Sequence, residues 1–296
     1  MLTEAIEKAL KKSVHDKELF KVMEYAVFPA GKLFRPRLVE AIASDLSDSL
    51  TQDHLHLASA IELHHAYTLV HDDLPAMDND LIRRGKAATH AKFGEWKAIL
   101  AGDALLISSF HELSLIRHKS FPEINRLMLW TTGAKGLIEG QFRDLGADGK
   151  VNFRNVVRIH ELKTGRLIQL ATLGTYLLSG KINFKGKKNF LRLGREIGVS
   201  FQLLDDLSEL TEEAVSPHEK KINPFFTSSE EALKELRHAH LRLTDITFKY
   251  RLDHVEKMLQ DYFEKNKEMI LTKFEVIEKN VGKDLKSLRE WITNFV

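Results

Sequence analysis

The sequence contains no cysteine among its 296 residues. Disulfide bonds, thiolate metal sites and a cysteine nucleophile are therefore excluded. Its prolines number only six, and they leave long tracts in which a helix can run without interruption. No stretch approaches the roughly 18 uncharged apolar residues of a membrane-spanning helix, so we expect no membrane insertion.

An excess of charge of either sign is also missing. The 44 lysines and arginines nearly balance the 42 acidic residues, so the chain as a whole has no attraction to nucleic acid or to acidic membranes. The opening stretch MLTEAIEKALKK lacks the apolar core of a signal peptide, and together with the absent cysteines it favours a cytoplasmic protein. Neither a Walker-type GxxxxGK[ST] motif nor a GxGxxG motif occurs, so nucleotide binding has no support.

Apolar residues recur mainly three and four positions apart, as at Ile197, Phe201 and Leu204. This is the period of an α-helix, and no β-branched run alternates with period two. The sequence therefore predicts an all-α fold. Breaks between helices are predicted near residues 28–36, 45–52, 75–86, 119–122, 146–150, 180–188 and 215–229.

The predicted helices follow one another without an obvious domain boundary. No linker rich in Pro, Gly or Ser divides the chain, so we expect a single domain over residues 1–296. The run Ser228-Ser229-Glu230-Glu231 predicts a capping box at the start of the helix that follows it.

A first acidic cluster lies in the stretch HDDLPAMDND. The helical stripe that contains His65 begins apolar and ends at Asp72. Pro75 cannot continue the helix, so Asp72 and Asp73 are expected at its C-terminus, where the helix dipole is already negative. We therefore expect a cationic group beside them, and Asp78 to return from the following turn.

A second acidic cluster lies in FQLLDDLSEL, where Asp205 and Glu209 continue an apolar stripe and Asp206 sits beside them. Like charges four residues apart destabilise a helix by about 0.2–0.5 kcal/mol. Oxygen ligands suit a hard cation, Mg²⁺ rather than Zn²⁺ or Cu²⁺, and Mg²⁺ typically combines one or two carboxylates with substrate phosphates. The alternatives are solvated acidic surface and, because His71 is adjacent to the first cluster, a softer metal.

Basic residues near the predicted helix ends could meet such phosphates. Arginine matches phosphate oxygens bidentately, whereas lysine acts as a point charge. Each one alone is also consistent with an ordinary surface charge. They are Lys32, Arg35, Arg83, Arg84, Lys163, Lys220 and Lys221.

Six stretches together resemble the trans-isoprenyl diphosphate synthases, and most closely the bacterial-type farnesyl diphosphate synthases. The resemblance implies an all-α helical bundle around a deep central cavity, and a homodimer. It also implies a Mg²⁺-dependent head-to-tail condensation of isopentenyl diphosphate with dimethylallyl or geranyl diphosphate, through an allylic carbocation, to the C15 product. The stretches are MEYAVFPAGKLFRP, ELHHAYTLVHDDLPAMDNDLIRRGKAATHAKFGEWKAILAGDALL, GLIEGQFRDL, IHELKTGRLI, GVSFQLLDDLSEL and KKINPFF.

The same resemblance implies a set of site residues. Three Mg²⁺ ions bridged to the allylic diphosphate would be held by Asp72, Asp73 and Asp78 and, from the opposite wall, by Asp205, Asp206 and Glu209. Isopentenyl diphosphate would meet Lys32, Arg35, His65 and Arg84. The allylic diphosphate would meet Arg83, Lys163 and Lys221. Thr164, Gln202 and the apolar Phe201 would lie near the developing carbocation. The implied catalytic residues are Asp72, Asp73, Asp78, Arg83, Lys163, Thr164, Gln202, Asp205 and Lys221.

Product length is also suggested by the resemblance. Tyr67 lies five residues before Asp72, and the first motif carries the additional pair Pro75-Ala76. In the family this combination resembles enzymes that make C15 products, in which the aromatic ring forms the floor of the tail pocket. A C20 product and an ordinary core role for Tyr67 are the alternatives.

Four departures from the family pattern leave other functions open. Leu33 replaces a basic residue, Leu81 replaces an acid, and Glu209 replaces an aspartate. A lysine expected soon after the second motif is missing from the acidic stretch TEEAVSPHE. The alternatives are a non-catalytic homologue acting as a partner subunit, a helical binding protein, and a head-to-head prenyl condenser.

Overall fold

The computed structural model describes residues 1–47, 49–146, 152–212, 215 and 219–294. Most of them lie in α-helices, which confirms the all-α prediction. A π-helix, Glu161–Gly165, joins two of these helices. The α-helices are α1 Leu2–Ser13, α2 Lys17–Val27, α3 Phe34–Leu46, α4 Gln52–Asp72, α5 Thr89–Phe93, α6 Glu95–Ser114, α7 Phe121–Thr132, α8 Leu137–Leu145, α9 Phe153–His160, α10 Arg166–Leu178, α11 Phe184–Glu209, α12 Glu219–Ile222, α13 Pro224–Thr227, α14 Ser229–Tyr250, α15 Asp253–Thr272, α16 Phe274–Val281 and α17 Lys286–Asn294.

Every predicted break overlaps an interruption between helices. The capping box predicted at Ser228 is wrong. Ser228 precedes α14 without a side-chain hydrogen bond to it. Its N–H donates instead to the carbonyl of Pro224, because Ser228 also ends α13, and its ψ of 42° departs from the extended backbone of an N-cap. A capping box forms at the start of α4, between Thr51 and His54.

One small antiparallel hairpin interrupts the helices between α4 and α5. It consists of β1 Ile82–Arg83 and β2 Lys86–Ala87, with Arg83 paired to Lys86. The two turn residues, Arg84 and Gly85, have φ of 54° and 73°, as a type I′ turn requires. The sequence predicted a break here but no strands.

The described residues form two compact units. The first comprises Met1–Leu129 and Leu170–Lys187. Within it α4 packs against α1, α3 and α6, so α4 is buried along most of its length and its acidic end is held in place. Its core includes Ile6, Leu10, Met23, Leu63 and Leu105.

The second unit comprises Trp130–Gln169 and Lys188–Val296. Its core joins the last turns of α11 to α14 and α16 through apolar side chains. The single domain expected over residues 1–296 stays a prediction. The core includes Leu203, Leu207, Leu210, Leu236, Phe274 and Ile277.

Membrane-spanning segments were not expected from the sequence. In the part of the chain that the structure describes, no helix combines the length and the apolar character needed to cross a bilayer. The cytoplasmic location stays a prediction.

Candidate active site

The first acidic motif is built by the end of α4 and the turn after it. Asp72 is the last residue of α4 and Asp73 caps it. The chain then folds back, and the N–H of Asp78 donates to the carbonyl oxygen of Asp72 at 2.8 Å. Both predictions are confirmed: the two aspartates lie at a helix C-terminus and Asp78 returns to it.

Arg83 is the cation that this helix end requires. Its Nε donates to Oδ1 of Asp73 at 2.8 Å, its Nη2 donates to the same oxygen, and Nη2 also donates to Oδ2 of Asp80 at 2.7 Å. Asp73 is buried, with 2% of its surface exposed. Burial raises the pKa of its carboxyl, and the hydrogen bonds from Arg83 oppose that rise.

Arg84, the next residue, extends to a different place. Its guanidinium lies against the backbone of Gly31, where an added Cβ would be 3.0 Å from Arg84 Cζ. Arg84 also interacts electrostatically with Arg35 and His65. The hairpin turn thus sends two consecutive arginines to two separate sites, one acidic and one basic.

The basic site brings together residues that the sequence predicted for isopentenyl diphosphate. Burial lowers the pKa of His65 well below its ordinary value, and Arg35 and Arg84 lower it further, so this imidazole is neutral. Burial also lowers the pKa of Arg35, and Glu62 opposes that effect. Lys32, in the loop between α2 and α3, is exposed. The guanidinium groups of Arg35 and Arg84 thus lie close to each other and to the carboxyl of Glu62, an arrangement that suits a polyanion.

Backbone strain is concentrated in these loops. Among the described residues, those other than glycine with positive φ are Leu33 at 49°, Asn79 at 57°, Arg84 at 54° and Arg251 at 52°. The first three lie in the loops of the basic site and the first acidic motif. Each such conformation costs on the order of 1–3 kcal/mol and persists where the surroundings impose it, commonly at functional sites. Leu33, at a position where the family has a basic residue, packs its side chain on the apolar core.

The second acidic motif occupies the last turns of α11. Asp205 is exposed, Glu209 is half-buried and Asp206 is buried. Nε2 of His160 lies 3.4 Å from Oδ2 of Asp206, and Asn223 donates to the backbone carbonyl of Asp206 at 2.7 Å. Burial lowers the pKa of His160 to about 4, so this histidine is neutral at physiological pH.

The π-helix presents two further predicted residues. Nζ of Lys163 donates to Oδ2 of Asp144 at 2.6 Å, and Oγ1 of Thr164 donates to Oε1 of Gln202 at 2.9 Å. A Cβ at Gly140 would lie 2.5 Å from the backbone nitrogen of Lys163, so α8 approaches the π-helix closely because it has glycine there. Single π-turns occur frequently at functional sites.

Ion pairs hold the start of the π-helix. The carboxylate of Glu161 lies 3.2 Å from Arg158, 3.5 Å from Arg166 and 3.7 Å from Arg195. Glu161 is thereby tied to α9, α10 and α11. This fixes the turn on which Lys163 and Thr164 lie.

Tyr67 lies on α4 between two histidines. Its ring meets those of His64 and His71 edge-on, with centroid distances of 5.0 and 5.1 Å. Burial raises the pKa of the phenol, and Asp72 and Asp103 raise it further. Tyr67 is therefore close to the first acidic motif, although the helical wheel separates it from Asp72.

The donor sets of both motifs suit Mg²⁺. In the described residues no three His, Asp or Glu side chains converge into a complete metal site. Mg²⁺ typically binds through one or two carboxylates together with substrate phosphates and water. The residues that would hold the ions are Asp72, Asp73, Asp78, Asp205, Asp206 and Glu209.

Not all predicted residues are brought together within one unit. The first motif, the basic site and Tyr67 belong to the first unit, whereas the second motif, Lys163, Thr164 and Phe201 belong to the second. The side chain of Lys221 lies outside the described residues.

Comparison with known proteins identifies the family. A family model described as polyprenyl synthetase matches residues 16–222. The chain belongs to the polyprenyl synthetase family. This membership supports trans-prenyl diphosphate synthase activity, and thus a prenyl-transferring enzyme.

Similar members of the polyprenyl synthetase family carry different product names. A geranylgeranyl diphosphate synthase from Cyanophora paradoxa is 35% identical over 253 residues, which cover 78% of this chain and 83% of that protein. A farnesyl diphosphate synthase from Geobacillus stearothermophilus is 34% identical over 221 residues, which cover 70% of this chain and 72% of that protein. The structure of a Helicobacter pylori geranyltransferase complexed with magnesium and isoprenyl diphosphate is 26% identical, with a TM-score of 0.74 over 89% of this chain and 96% of that one.

The sequence predictions missed several residues at the site. Asp80 shares Arg83 with Asp73, Asp144 pairs with Lys163, and His160 and Asn223 contact Asp206. All four lie inside the six stretches that carry the family resemblance, which was the available signal. Tyr262 on α15 also reaches the site, and no stretch of that kind includes it.

Proposed function

We propose that this polyprenyl synthetase is a Mg²⁺-dependent head-to-tail prenyltransferase that condenses isopentenyl diphosphate with dimethylallyl or geranyl diphosphate. The observation that carries the proposal is the divergence of Arg83 and Arg84. Arg83 serves the acidic motif, where metal ions and an allylic diphosphate would bind, and Arg84 serves the basic cluster with Arg35 and His65. Two adjacent anion sites are what a reaction between two diphosphates requires.

The chemistry needs a stabilised leaving group and no protein nucleophile. The allylic C–O bond breaks, and its electron pair leaves with the diphosphate. The double bond of isopentenyl diphosphate then attacks the allylic cation, and the proton lost from the product passes to the released diphosphate. Bound Mg²⁺ would neutralise the diphosphate charge as it develops. The magnesium and isoprenyl diphosphate bound to the related geranyltransferase support this cofactor.

The chain's own residues hold the reactants. Arg83 opposes the rise that burial causes in the pKa of Asp73 and would face the allylic diphosphate. Within the second unit the Asp144 carboxylate orients Lys163, and the family resemblance implies that this cation would also bind the allylic diphosphate. Thr164 and Gln202 are joined by a hydrogen bond, and in the proposed reaction they would lie near the developing positive charge, while apolar walls would exclude the water that quenches it.

The product we propose is farnesyl diphosphate, C15. The support is Tyr67, whose ring is fixed by His64 and His71 and lies close to Asp72. The C20 product is the second candidate, since a geranylgeranyl diphosphate synthase is among the similar proteins.

A homodimer is the proposed assembly. One face of α6 exposes a stripe of large apolar residues: Trp96, Ile99, Leu100 and Ile107 are 65%, 42%, 52% and 66% exposed. An exposed stripe of this kind on one helix supports burial against a second copy. Ile107→Lys is expected to convert the dimer to a monomer in sedimentation velocity.

Glu209 keeps the charge of the aspartate that it replaces, with a longer side chain, so metal binding survives with altered geometry. The first motif and its arginine are complete, which argues against a purely non-catalytic subunit. The test is incubation of the purified protein with Mg²⁺, isopentenyl diphosphate and either allylic starter, with product length read by chromatography. If no starter releases diphosphate, and no active synthase added as a partner restores release, the enzyme proposal is wrong.

A further inference from the structure

The family match ends at residue 222, yet helices beyond it contact the second acidic motif. The ring of Tyr262, on α15, stacks on the ring of Phe201 with centroids 4.6 Å apart and planes only 12° from parallel. Phe201 lies one helical turn before Asp205, on the same face of α11. A residue outside the recognisable family region therefore packs directly behind the motif.

The other end of Tyr262 borders the acidic group itself. Burial raises the pKa of the Tyr262 phenol, and the nearby carboxylate of Asp205 raises it further. One side chain thus contacts the apolar residue of this helical face with its ring and lies beside the acidic residue with its hydroxyl end.

The adjoining helix α16 secures the end of the same segment. Nδ2 of Asn280 donates to the backbone carbonyls of Leu210 and Glu212, both at 2.9 Å. The last carbonyls of a helix lack partners within the helix. Asn280 supplies such partners just after α11 ends, so α15 and α16 both restrain the part of the chain that carries Asp205 and Glu209.

We propose that Tyr262 is a positioning residue for the second acidic motif: its stacked ring sets the orientation of Phe201 and, through it, of the helical face that carries Asp205. The inference rests on the proposed function, in which Asp205 holds Mg²⁺ bound to diphosphate. A nearly parallel stack covers one face of the Phe201 ring and prevents its rotation. Without it, Phe201 can turn and the last turns of α11 lose their support on that side.

The chain offers a matched control, a second tyrosine that contacts α11. Tyr250, on α14, contacts Phe190 of α11 with centroids 5.1 Å apart and planes at 64°, and its hydroxyl accepts a hydrogen bond from Asn189. Tyr250→Leu therefore removes a comparable aromatic contact with α11, several turns away from the acidic motif.

The experiment compares Tyr262→Leu with Tyr250→Leu. Melting temperature is followed during a titration with Mg²⁺ at a fixed concentration of inorganic pyrophosphate, because a ligand of the folded state raises it. For Tyr262→Leu we expect the half-maximal Mg²⁺ concentration to rise about tenfold, as is typical when a residue that orients a metal ligand is lost. Tyr250→Leu should titrate like the wild type, and so should Tyr262→Phe, which keeps the stack.

Equal Mg²⁺ midpoints for Tyr262→Leu and Tyr250→Leu would overturn the inference. A shift in Tyr262→Phe as large as in Tyr262→Leu would also overturn it, because the ring would then not be the active part. If Tyr262→Leu does not fold by circular dichroism, Tyr262→Met keeps the apolar bulk without a planar ring and replaces it. A wild-type protein without any Mg²⁺-dependent response to pyrophosphate would instead contradict the proposed function.

Discussion

Replacing each of the two consecutive arginines in turn should affect a different substrate. In Arg84→Gln the basic site loses one charge-assisted hydrogen bond to isopentenyl diphosphate, which is worth about 1.5–3 kcal/mol. Because about 1.4 kcal/mol corresponds to a factor of ten, KM for isopentenyl diphosphate should rise roughly 10- to 150-fold. KM for the allylic substrate should change little, since Arg84 has no hydrogen bond to the first acidic motif among the described residues.

Arg83→Gln should raise KM for the allylic substrate instead, and it should also destabilise the protein. The side chain of Asp73 is 3% exposed and that of Arg83 is 34% exposed. Breaking a fully buried pair costs about 3–5 kcal/mol. Because Arg83 is partly in water, which weakens the interaction, we expect a loss of about 2 kcal/mol in the free energy of unfolding.

Two measurements check this pair of variants. Initial rates are recorded with each substrate varied while the other is saturating, and urea unfolding is recorded without Mg²⁺. Arg126→Gln, an exposed arginine on α7, serves as the control for general loss of charge. If both variants raise the same KM, or if Arg84→Gln loses as much stability as Arg83→Gln, the two arginines do not act at separate sites.

Three further outcomes are expected. Tyr67→Ala should lengthen the main product beyond C15, because the ring between His64 and His71 is removed; an unchanged product in chromatography would exclude Tyr67 as the pocket floor. Asp72→Ala should abolish turnover while circular dichroism keeps its helical signal, and retained turnover would contradict a metal role. Burial lowers the pKa of His64 from 6.5 to about 4, so its stabilising contribution is present above pH 6.5 and is lost as pH falls towards 4. One pKa unit is worth about 1.4 kcal/mol. In His64→Gln the loss of unfolding free energy between pH 7 and 4, measured by urea unfolding at each pH, should therefore shrink by about 3 kcal/mol. The exposed control His15→Gln should behave like the wild type, and identical losses in both variants would exclude His64 as the source.

Local chemistry made much of the first motif predictable. Proline in a helix interior removes a backbone hydrogen bond, so Pro75 cannot continue the helix before it, and the position of Asp72 and Asp73 at the C-terminus of α4 followed directly. The repulsion between acids and helix dipole then required a cation, and Arg83 supplies it. Each of these features depends on residues that are close together in the chain.

Features that depend on tertiary contacts could not be predicted in the same way. The hairpin has strands of two residues, which are too short to show any periodicity. The π-helix has no distinct sequence pattern, and its contacts with Gly140 and through the ion pairs of Glu161 join it to other helices. The contact of Tyr262 with Phe201 joins distant parts of the chain, and only the fold reveals it.

The hairpin turn also limits the distance between the two anion sites. Arg83 and Arg84 are neighbours in the chain, so their Cα atoms are about 3.8 Å apart whatever the rest of the protein does. The two anion sites that they serve can therefore be separated by no more than this spacing and the reach of the two side chains. Inserting a single residue between them would change that spacing and turn one arginine to the other side of the strand. We expect this insertion to reduce turnover more than any single substitution in the turn.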